Sequence, residues 1–268
     1  MKNPKPIAFV LTATDHGTML VNKNDAYQHY GPDKGGIGVG YQIFKKSSCE
    51  LDEVEFILKI LDAQKQLYGE GVVAIDCGAN IGTQTIMWSR HMQGWGTVIS
   101  IEPQERIFYA LAGNITINNC FNVSAIWAAV GEETGIINIP ALNYFTPTSF
   151  GSLELKAPRG EGRQGEIIGQ AVNYSEENTV PVRLMKLDEL NLNRLDFIKM
   201  DIEGMEIEAL KGSENIIDKF KPTIFVEMLK SDQNKLMEFL ASKGYENEIL
   251  NDLNILSVHK SNKLFQLL

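Results

Sequence analysis

Three carboxylates lie where two apolar stretches end. Asp201 and Glu203 follow the run Asp196–Met200 (DFIKM). Glu227 lies near the end of Lys221–Met228 (KPTIFVEM). Both runs predict strands buried in a sheet, and ligands of open α/β sheets bind beyond the carboxyl ends of the strands. A carboxylate there can take the proton of a bound hydroxyl as a general base. We predict that Asp201 is this base or positions the substrate, with Glu203 and Glu227 in support.

Lys199 adds a positive charge to this group. It precedes Asp201 by two residues, so the two side chains share a strand face. Its ammonium can keep the carboxylate ionised or stabilise a developing alkoxide. A structural alternative remains for Glu203, because the helix dipole favours an acid in a first helical turn whatever its function. The three acids also suit a divalent metal, but their spacing is not a recognised ligand motif, so we predict none.

The stretch Val72–Thr83 (VVAIDCGANIGT) carries a second polar set. It predicts a buried strand ending at Asp76, after which Gly78, Asn80 and Gly82 follow at two-residue spacing. Glycine lets a ligand approach the backbone, and asparagine tolerates a left-handed conformation. A dinucleotide turn would read G-x-G-x-x-G and face a pyrophosphate, which Asp76 would repel. The turn therefore predicts a nucleotide-like ligand that carries an ammonium group.

The next strand, Thr97–Glu102 (TVISIE), also ends in an acid, about 20 residues beyond the turn. A carboxylate at that point accepts hydrogen bonds from both ribose hydroxyls in nucleotide-binding folds, so Glu102 is the predicted ribose ligand. A third strand is predicted over Val123–Val130 (VSAIWAAV). Its end would flank an adenine, and Trp127 and Ala128 are candidates for that contact, with core packing as the alternative for Trp127.

The elements that hold these groups alternate along the chain. Five strand–helix units are followed by an antiparallel pair, Tyr245–Leu250 and Asn254–His259. This order predicts an α/β fold with a mostly parallel sheet and helices on both faces. A helix is predicted before the first strand, opened by a capping box formed by Ser47 and Glu50.

Two segments depart from the alternation. Residues 1–46 are predicted to form an N-terminal arm or cap beside the site, and residues 47–268 the main domain. Within that domain, residues 143–179 lose their periodicity and are rich in Gly, Ser, Pro and charge. Because a long irregular stretch is uncommon in a compact domain, we interpret it either as a surface insertion or as a lid over the substrate.

Composition limits the partners. The formal net charge of −9 argues against a broad surface for nucleic acid or membrane. No apolar run has the length of a membrane span, and no secretory pattern is present. Cys49, Cys77 and Cys120 are widely spaced and odd in number, which disfavours a disulfide framework or a zinc knuckle. A cytoplasmic protein with neither a nucleic-acid nor a membrane partner is expected.

Four stretches, taken in order, resemble one family. They are DCGANIGTQT (76–85), ISIEP (99–103), DFIKMDIEGMEIEALKG (196–212) and PTIFVEML (222–229). The D-x-G-x-N-x-G turn resembles the cofactor loop of class I S-adenosyl-L-methionine (SAM) methyltransferases. The whole set resembles the FkbM-type SAM-dependent methyltransferases, from about Glu50 to the C-terminus.

The resemblance implies a Rossmann-like, seven-stranded sheet, SAM as cofactor, and methyl transfer, usually to a hydroxyl of a sugar, glycan or natural product. The family's SAM-binding positions fall on Asp76, Gly78, Asn80, Gly82 and Glu102. The expected function is thus a SAM-dependent O-methyltransferase for a sugar, glycan or small hydroxylated metabolite. Residues 1–46 and 143–179 match little of the family and would set the acceptor.

Three other functions are weighed against this one. N-methyl transfer to a peptide or other acceptor keeps SAM, but the N/D-P-P-Y/F tetrapeptide of many nucleic-acid amino methylases is replaced by Asp-Ile-Glu-Gly at 201–204. A non-catalytic SAM- or nucleotide-binding module would not need the acids, and an NAD-dependent oxidoreductase is disfavoured by the turn spacing. His16, His29 and His259 are further candidates for contact with the substrate.

Overall fold

The N-terminal part of the chain forms two short antiparallel ribbons and two helices. The structure is a computed structural model that describes residues 6–28, 36–157, 168–251 and 253–266. The first elements are β1 (Phe9–Thr14), β2 (Gly17–Asn22), β3 (Tyr27–Gln28), β4 (Gly36–Ile37), α1 (Val39–Lys46) and α2 (Leu51–Tyr68). β1 pairs with β2 and β3 pairs with β4.

The rest of the chain alternates between strands and helices. Its elements are β5 (Val72–Cys77), α3 (Thr83–His91), β6 (Gly96–Glu102), α4 (Glu105–Ile117), β7 (Val123–Trp127), β8 (Ala129–Val130), β9 (Gly135–Pro140), β10 (Thr179–Met185), β11 (Phe197–Met200), α5 (Glu206–Lys211), α6 (Glu214–Phe220), β12 (Thr223–Glu227), α7 (Gln233–Ser242), β13 (Tyr245–Ile249) and β14 (Asn254–His259).

Seven strands form the central sheet, in the order β7-β6-β5-β11-β12-β14-β13. Neighbours from β7 to β12 are parallel, whereas β14 runs antiparallel to both β12 and β13. The predicted α/β fold, with its seven-stranded, mostly parallel sheet and closing antiparallel pair, is confirmed. Because parallel strands end at one edge, β5, β6, β11 and β12 bring their terminal acids together there.

Helices cover both faces of this sheet. On one face, Trp88 of α3 meets Phe197 of β11 edge-on, with ring centroids 5.5 Å apart, in a cluster that also includes Leu61 of α2. On the other face, Leu236 and Ile198 belong to a cluster built from β11 and from helices α5, α6 and α7. The two apolar layers explain why the central strands are largely apolar.

Two local predictions are wrong. The strand predicted over Val123–Val130 is interrupted at Ala128. Its first part, β7, belongs to the central sheet, and its second part, β8, belongs to a second sheet of order β8-β10-β9. The predicted capping box does not form either, although the helix does. Ser47 is instead the left-handed C-cap of α1, and Glu50 precedes α2 without a side-chain capping hydrogen bond.

The arm and the segment between β9 and β10 meet at a buried acid. Asp25 accepts hydrogen bonds from the backbone N–H of Gly40 at 2.9 Å and of Phe150 at 3.1 Å. Burial raises the pKa of its carboxyl to about 6. A parallel bridge from Asp25 to Thr148 adds to this junction. Two segments that lack a local pattern are thus fixed to each other beside the carboxyl edge of the sheet.

Candidate active site

The turn after β5 is bent by three residues with positive φ: Gly78 (82°), Asn80 (50°) and Gly82 (92°). Gly78 is required by a close approach as well, since a Cβ there would lie 1.8 Å from the backbone oxygen of Asp201. The N–H groups of Gly78 and Ala79 both donate to the Ile101 carbonyl at 3.0 Å. The turn therefore joins the ends of β5, β6 and β11.

Glu102, at the end of β6, is 4% exposed and faces this turn. Its carboxylate accepts hydrogen bonds from the N–H of Asn80 at 3.0 Å and of Gln104 at 2.9 Å. Burial raises the pKa of Glu102 to about 7, against the opposing effect of these two N–H groups. The turn and the acid are held as one unit, and the remaining lone pairs of the carboxylate are available to a ligand.

Asp76 lies deeper than Glu102 and is 1% exposed. One of its oxygens accepts a hydrogen bond of 2.6 Å from the Thr85 hydroxyl, which also lies 2.8 Å from the Ser100 hydroxyl. Burial raises the pKa of Asp76, while Lys199 and Thr85 act in the opposite direction. The predicted acid of the turn is thus anchored to α3 at the bottom of the site.

Lys199 is the buried ammonium of the site. Its Nζ lies 3.0 Å from Oδ2 of Asp201 and 3.7 Å from Oε1 of Glu53. Burial works to lower the pKa of Lys199, but these acids and their neighbours hold it well above its usual value. The predicted pairing of Lys199 with Asp201 is present, and Glu53, which was not predicted as a site residue, is its second partner.

Glu203 and Glu227 lie beside Asp201, and the three acids have carboxylate oxygens within 4.8 Å of one another. Burial and the neighbouring acids raise the pKa values of Glu203 and Glu227. Glu227 is hydrogen-bonded to Asp201, so it keeps its proton and donates it. Glu203 has positive φ (57°) and lies 2.6 Å from Nζ of Lys230. The donor set would also accept a divalent cation.

These groups line a cleft of about 980 Å³, including its part open to solvent. Most predicted site residues border this cleft. Those that do are Asp76, Gly78, Asn80, Glu102, Lys199, Asp201 and Glu203. The wall also includes Gly38 from the arm and Ser152 from the segment between β9 and β10. Since acids outnumber bases around it, the cleft favours a cationic ligand over a phosphate.

Four predicted residues are not on the cleft wall. Trp127 donates to the Pro103 carbonyl at 2.9 Å and stacks on Phe108, and Ala128 is fully buried. Gly82 belongs to the turn and packs against Leu111, since a Cβ at this position would lie 2.7 Å from the Leu111 side chain. Glu227 reaches the site through Asp201.

The histidines lie away from these groups in the part of the chain that is described. His16 is buried, and its Nε2 accepts the Cys49 N–H at 2.9 Å. His259 contacts Ser261 at 2.8 Å, and neither histidine lines the cleft. His29 lies outside the described residues.

Several polar residues that were not predicted also line the cleft, among them Glu50 and Gln84. Gln84 is in the first turn of α3, and its Nε2 donates to Oε1 of Glu53 at 3.0 Å. In the sequence, Glu50 fits the last position of a capping box, which explains an acid there without a ligand.

The sheet order is that of the Rossmann-like class I methyltransferase fold, with an acidic cleft at the carboxyl edge of the sheet. Comparison with protein families agrees: the model of the Methyltransferase FkbM domain matches residues 76–246, more than half of the chain. The chain belongs to the FkbM methyltransferase family and is a SAM-dependent methyltransferase.

Individual curated relatives and solved structures are similar to this chain at low sequence identity. Methyltransferase 1 of Beauveria bassiana is 26% identical over 219 residues, covering 76% of this chain and 86% of the relative. Methyltransferase sdnD of Sordaria araneosa is 26% identical over 195 residues, covering 64% of this chain and 73% of the relative. The crystal structure of methyltransferase FkbM from Methylobacillus flagellatus is 22% identical with a TM-score of 0.47, covering 70% of this chain and 43% of that one.

The residues of the cleft fit SAM. A Cβ at Gly78 would fill the turn, Glu102 has the chemistry for two ribose hydroxyls, and the acidic wall complements an ammonium and a sulfonium. When bound, SAM supplies an electrophilic methyl group. The protein's own contribution is to position both reactants and to hold a proton acceptor near the hydroxyl or amine that is methylated.

Proposed function

We propose that this protein is an O-methyltransferase that acts on a hydroxyl of a sugar, glycan or small hydroxylated metabolite, with Asp201 as the proton acceptor. The observation that carries the proposal is the position of Asp201: it lines the cleft, directly behind Gly78, and its carboxylate is paired with Lys199 at 3.0 Å. A neutral hydroxyl is a poor nucleophile, so a carboxylate within hydrogen-bond reach assists its attack.

The neighbouring groups support this role. Lys199 is hydrogen-bonded to Asp201 and stabilises negative charge that develops on the acceptor oxygen. Glu227 donates a hydrogen bond to Asp201 and orients it. Glu203, paired with Lys230, also borders the cleft. The nucleophile is therefore flanked by fixed polar groups that need little rearrangement during the reaction.

A second cleft supports a polar acceptor. It holds about 1880 Å³, including its part open to solvent, and it shares Glu203 with the cofactor cleft. Charged side chains of both signs line it, among them Glu132, Glu154, Lys156 and Lys211. Mixed charges can hydrogen-bond the many hydroxyls of a sugar or glycan, whereas a flat apolar acceptor makes no such bonds.

The test is methyl transfer to a panel of sugars, oligosaccharides and hydroxylated small molecules, with matched amines in which an amino group replaces the hydroxyl. Mass spectrometry detects the added methyl group, and fragmentation or NMR locates it on oxygen or nitrogen. We expect methylation of hydroxyl acceptors and none of the amines. Methylation of the amines alone would refute the O-methyltransferase proposal and leave N-methyl transfer.

A further inference from the structure

A carboxylate and an amide outside the predicted cofactor set face the cleft next to Asp76. Glu50 is solvent-exposed, and it lines the cleft. It has positive φ (52°), which costs energy for a residue other than glycine, and its side chain does not cap α2. A capping role therefore does not explain why an acid is placed here.

Gln84 is the second member of this pair. It is 5% exposed and lines the same cleft. Its amide nitrogen donates to Glu53 and its side chain is hydrogen-bonded to Glu50, so the nitrogen faces the two acids. The opposite atom, Oε1, is buried and has no hydrogen-bond partner among the described residues. A buried acceptor without a donor is costly, which points to a ligand that supplies one.

The charge around this pair indicates which ligand. The acids Glu50, Glu53, Asp76 and Asp201 surround one ammonium, that of Lys199. Burial and this crowding of like charges raise the pKa values of Glu50 and Glu53. An additional cation with N–H donors would relieve both the excess negative charge and the unpartnered Oε1. The α-ammonium of the methionine end of SAM is such a group.

We propose that Glu50 and Gln84 bind the α-ammonium group of SAM, with Glu50 as a charge-assisted acceptor and Gln84 Oε1 as a neutral one. Asp76 is less accessible than Glu50, since it is 1% exposed and already accepts the Thr85 hydroxyl. Glu50 lies outside residues 76–246, which match the family model. The residue that precedes α2 thus contributes directly to cofactor binding. The proposal depends on SAM as cofactor and is independent of the acceptor.

Two ligands separate this role from a general structural one. S-adenosyl-L-homocysteine carries the α-amino group, whereas 5′-methylthioadenosine keeps the adenosine and the sulfur but lacks the amino acid. Titration calorimetry on Glu50→Gln should show affinity for S-adenosyl-L-homocysteine reduced about tenfold or more. Affinity for 5′-methylthioadenosine should stay within about twofold of the wild type. Glu55→Gln, an exposed acid on the same helix, is the matched control and should change neither affinity.

A second variant, Gln84→Met, removes Oε1 and should show the same selective loss. Unchanged binding of S-adenosyl-L-homocysteine by Glu50→Gln would overturn the proposal. An equal loss for both ligands would also overturn it, because that result indicates a disturbed fold. If the wild-type protein binds neither ligand, the assignment of the cleft to SAM itself fails.

Discussion

The Nζ atom of Lys199 lies 3.0 Å from Oδ2 of Asp201, and this partly buried ion pair lies where β11 ends, next to Gly78 of the turn after β5. The proposed cofactor turn and the proposed proton acceptor therefore share one piece of backbone. Any change to that backbone should affect both functions, whereas a change confined to the Asp201 carboxylate should affect only turnover.

Asp201→Asn should separate turnover from cofactor binding. The amide keeps the shape of the side chain but is not a base, so methyl transfer should fall roughly 100- to 10,000-fold. Affinity for S-adenosyl-L-homocysteine, measured by calorimetry, should change little. Asp52→Asn, at an exposed acid of α2, is the control. Normal turnover in Asp201→Asn would remove this residue from the mechanism.

Gly78→Ala should abolish cofactor binding and destabilise the protein. The new methyl group would lie 1.8 Å from the Asp201 carbonyl oxygen, and the position has φ of 82°. The steric clash and the backbone strain can be relieved only by moving the turn or the end of β11. Thermal unfolding and calorimetry would measure the two effects. Gly135→Ala is the matched control, since a Cβ there meets nothing within 4 Å; equal behaviour of the two variants would contradict the prediction.

Glu102 should make cofactor affinity depend on pH. Burial raises the pKa of this carboxyl to about 7 in the free protein, and the ionised form is the better acceptor for ribose hydroxyls. Its contribution to affinity for S-adenosyl-L-homocysteine should increase from about pH 6 to about pH 8. Glu102→Gln should bind about tenfold more weakly at the upper end and show a flatter pH profile. A variant with unchanged affinity and profile would exclude Glu102 from ribose binding.

Glu227 should reduce stability as the pH rises. Burial, together with Asp201 and Glu203, raises the pKa of Glu227 to about 9, above its value of 4.5 in the unfolded chain. Between these values the folded protein retains a proton that the unfolded chain releases, so stability is lost with increasing pH.

Glu227→Gln removes that titration. The difference in Tm between Glu227→Gln and the wild type should therefore move in favour of the variant, by a few degrees, from about pH 5 to about pH 9. Thermal unfolding followed by circular dichroism measures it. Glu248→Gln, at an exposed acid of β13, should show a difference that does not vary with pH. A constant difference for Glu227→Gln as well would mean that Glu227 ionises normally in the folded state.

Membrane association was not expected from the sequence, and none of the described helices is long and apolar enough to cross a bilayer.

The surroundings of the site depend on the arm and on the segment between β9 and β10. Gly38 and Ser152, one from each, border the cofactor cleft. Their predicted roles as a cap and a substrate lid remain predictions.

The sequence by itself determined the alternation of strands and helices, the turn built on Gly78 and Asn80, and the acids at the strand ends. These features are local: periodicity, glycine spacing and the residue that ends a strand are properties of neighbouring residues. The pairing of Lys199 with Asp201 was predictable for the same reason, since alternate residues of a strand share a face.

Only the tertiary structure decided which distant groups complete the site. Glu53 and Gln84 lie in two different helices, Glu50 precedes the first of these, and Lys230 contacts Glu203 from the loop after β12. The interruption at Ala128 likewise depends on pairing between β8 and β10. Contacts of this kind are set by the order of strands in the sheet and by the packing of helices against it. A local pattern contains neither, so the capping box predicted at Glu50 was replaced by a place in the cofactor cleft.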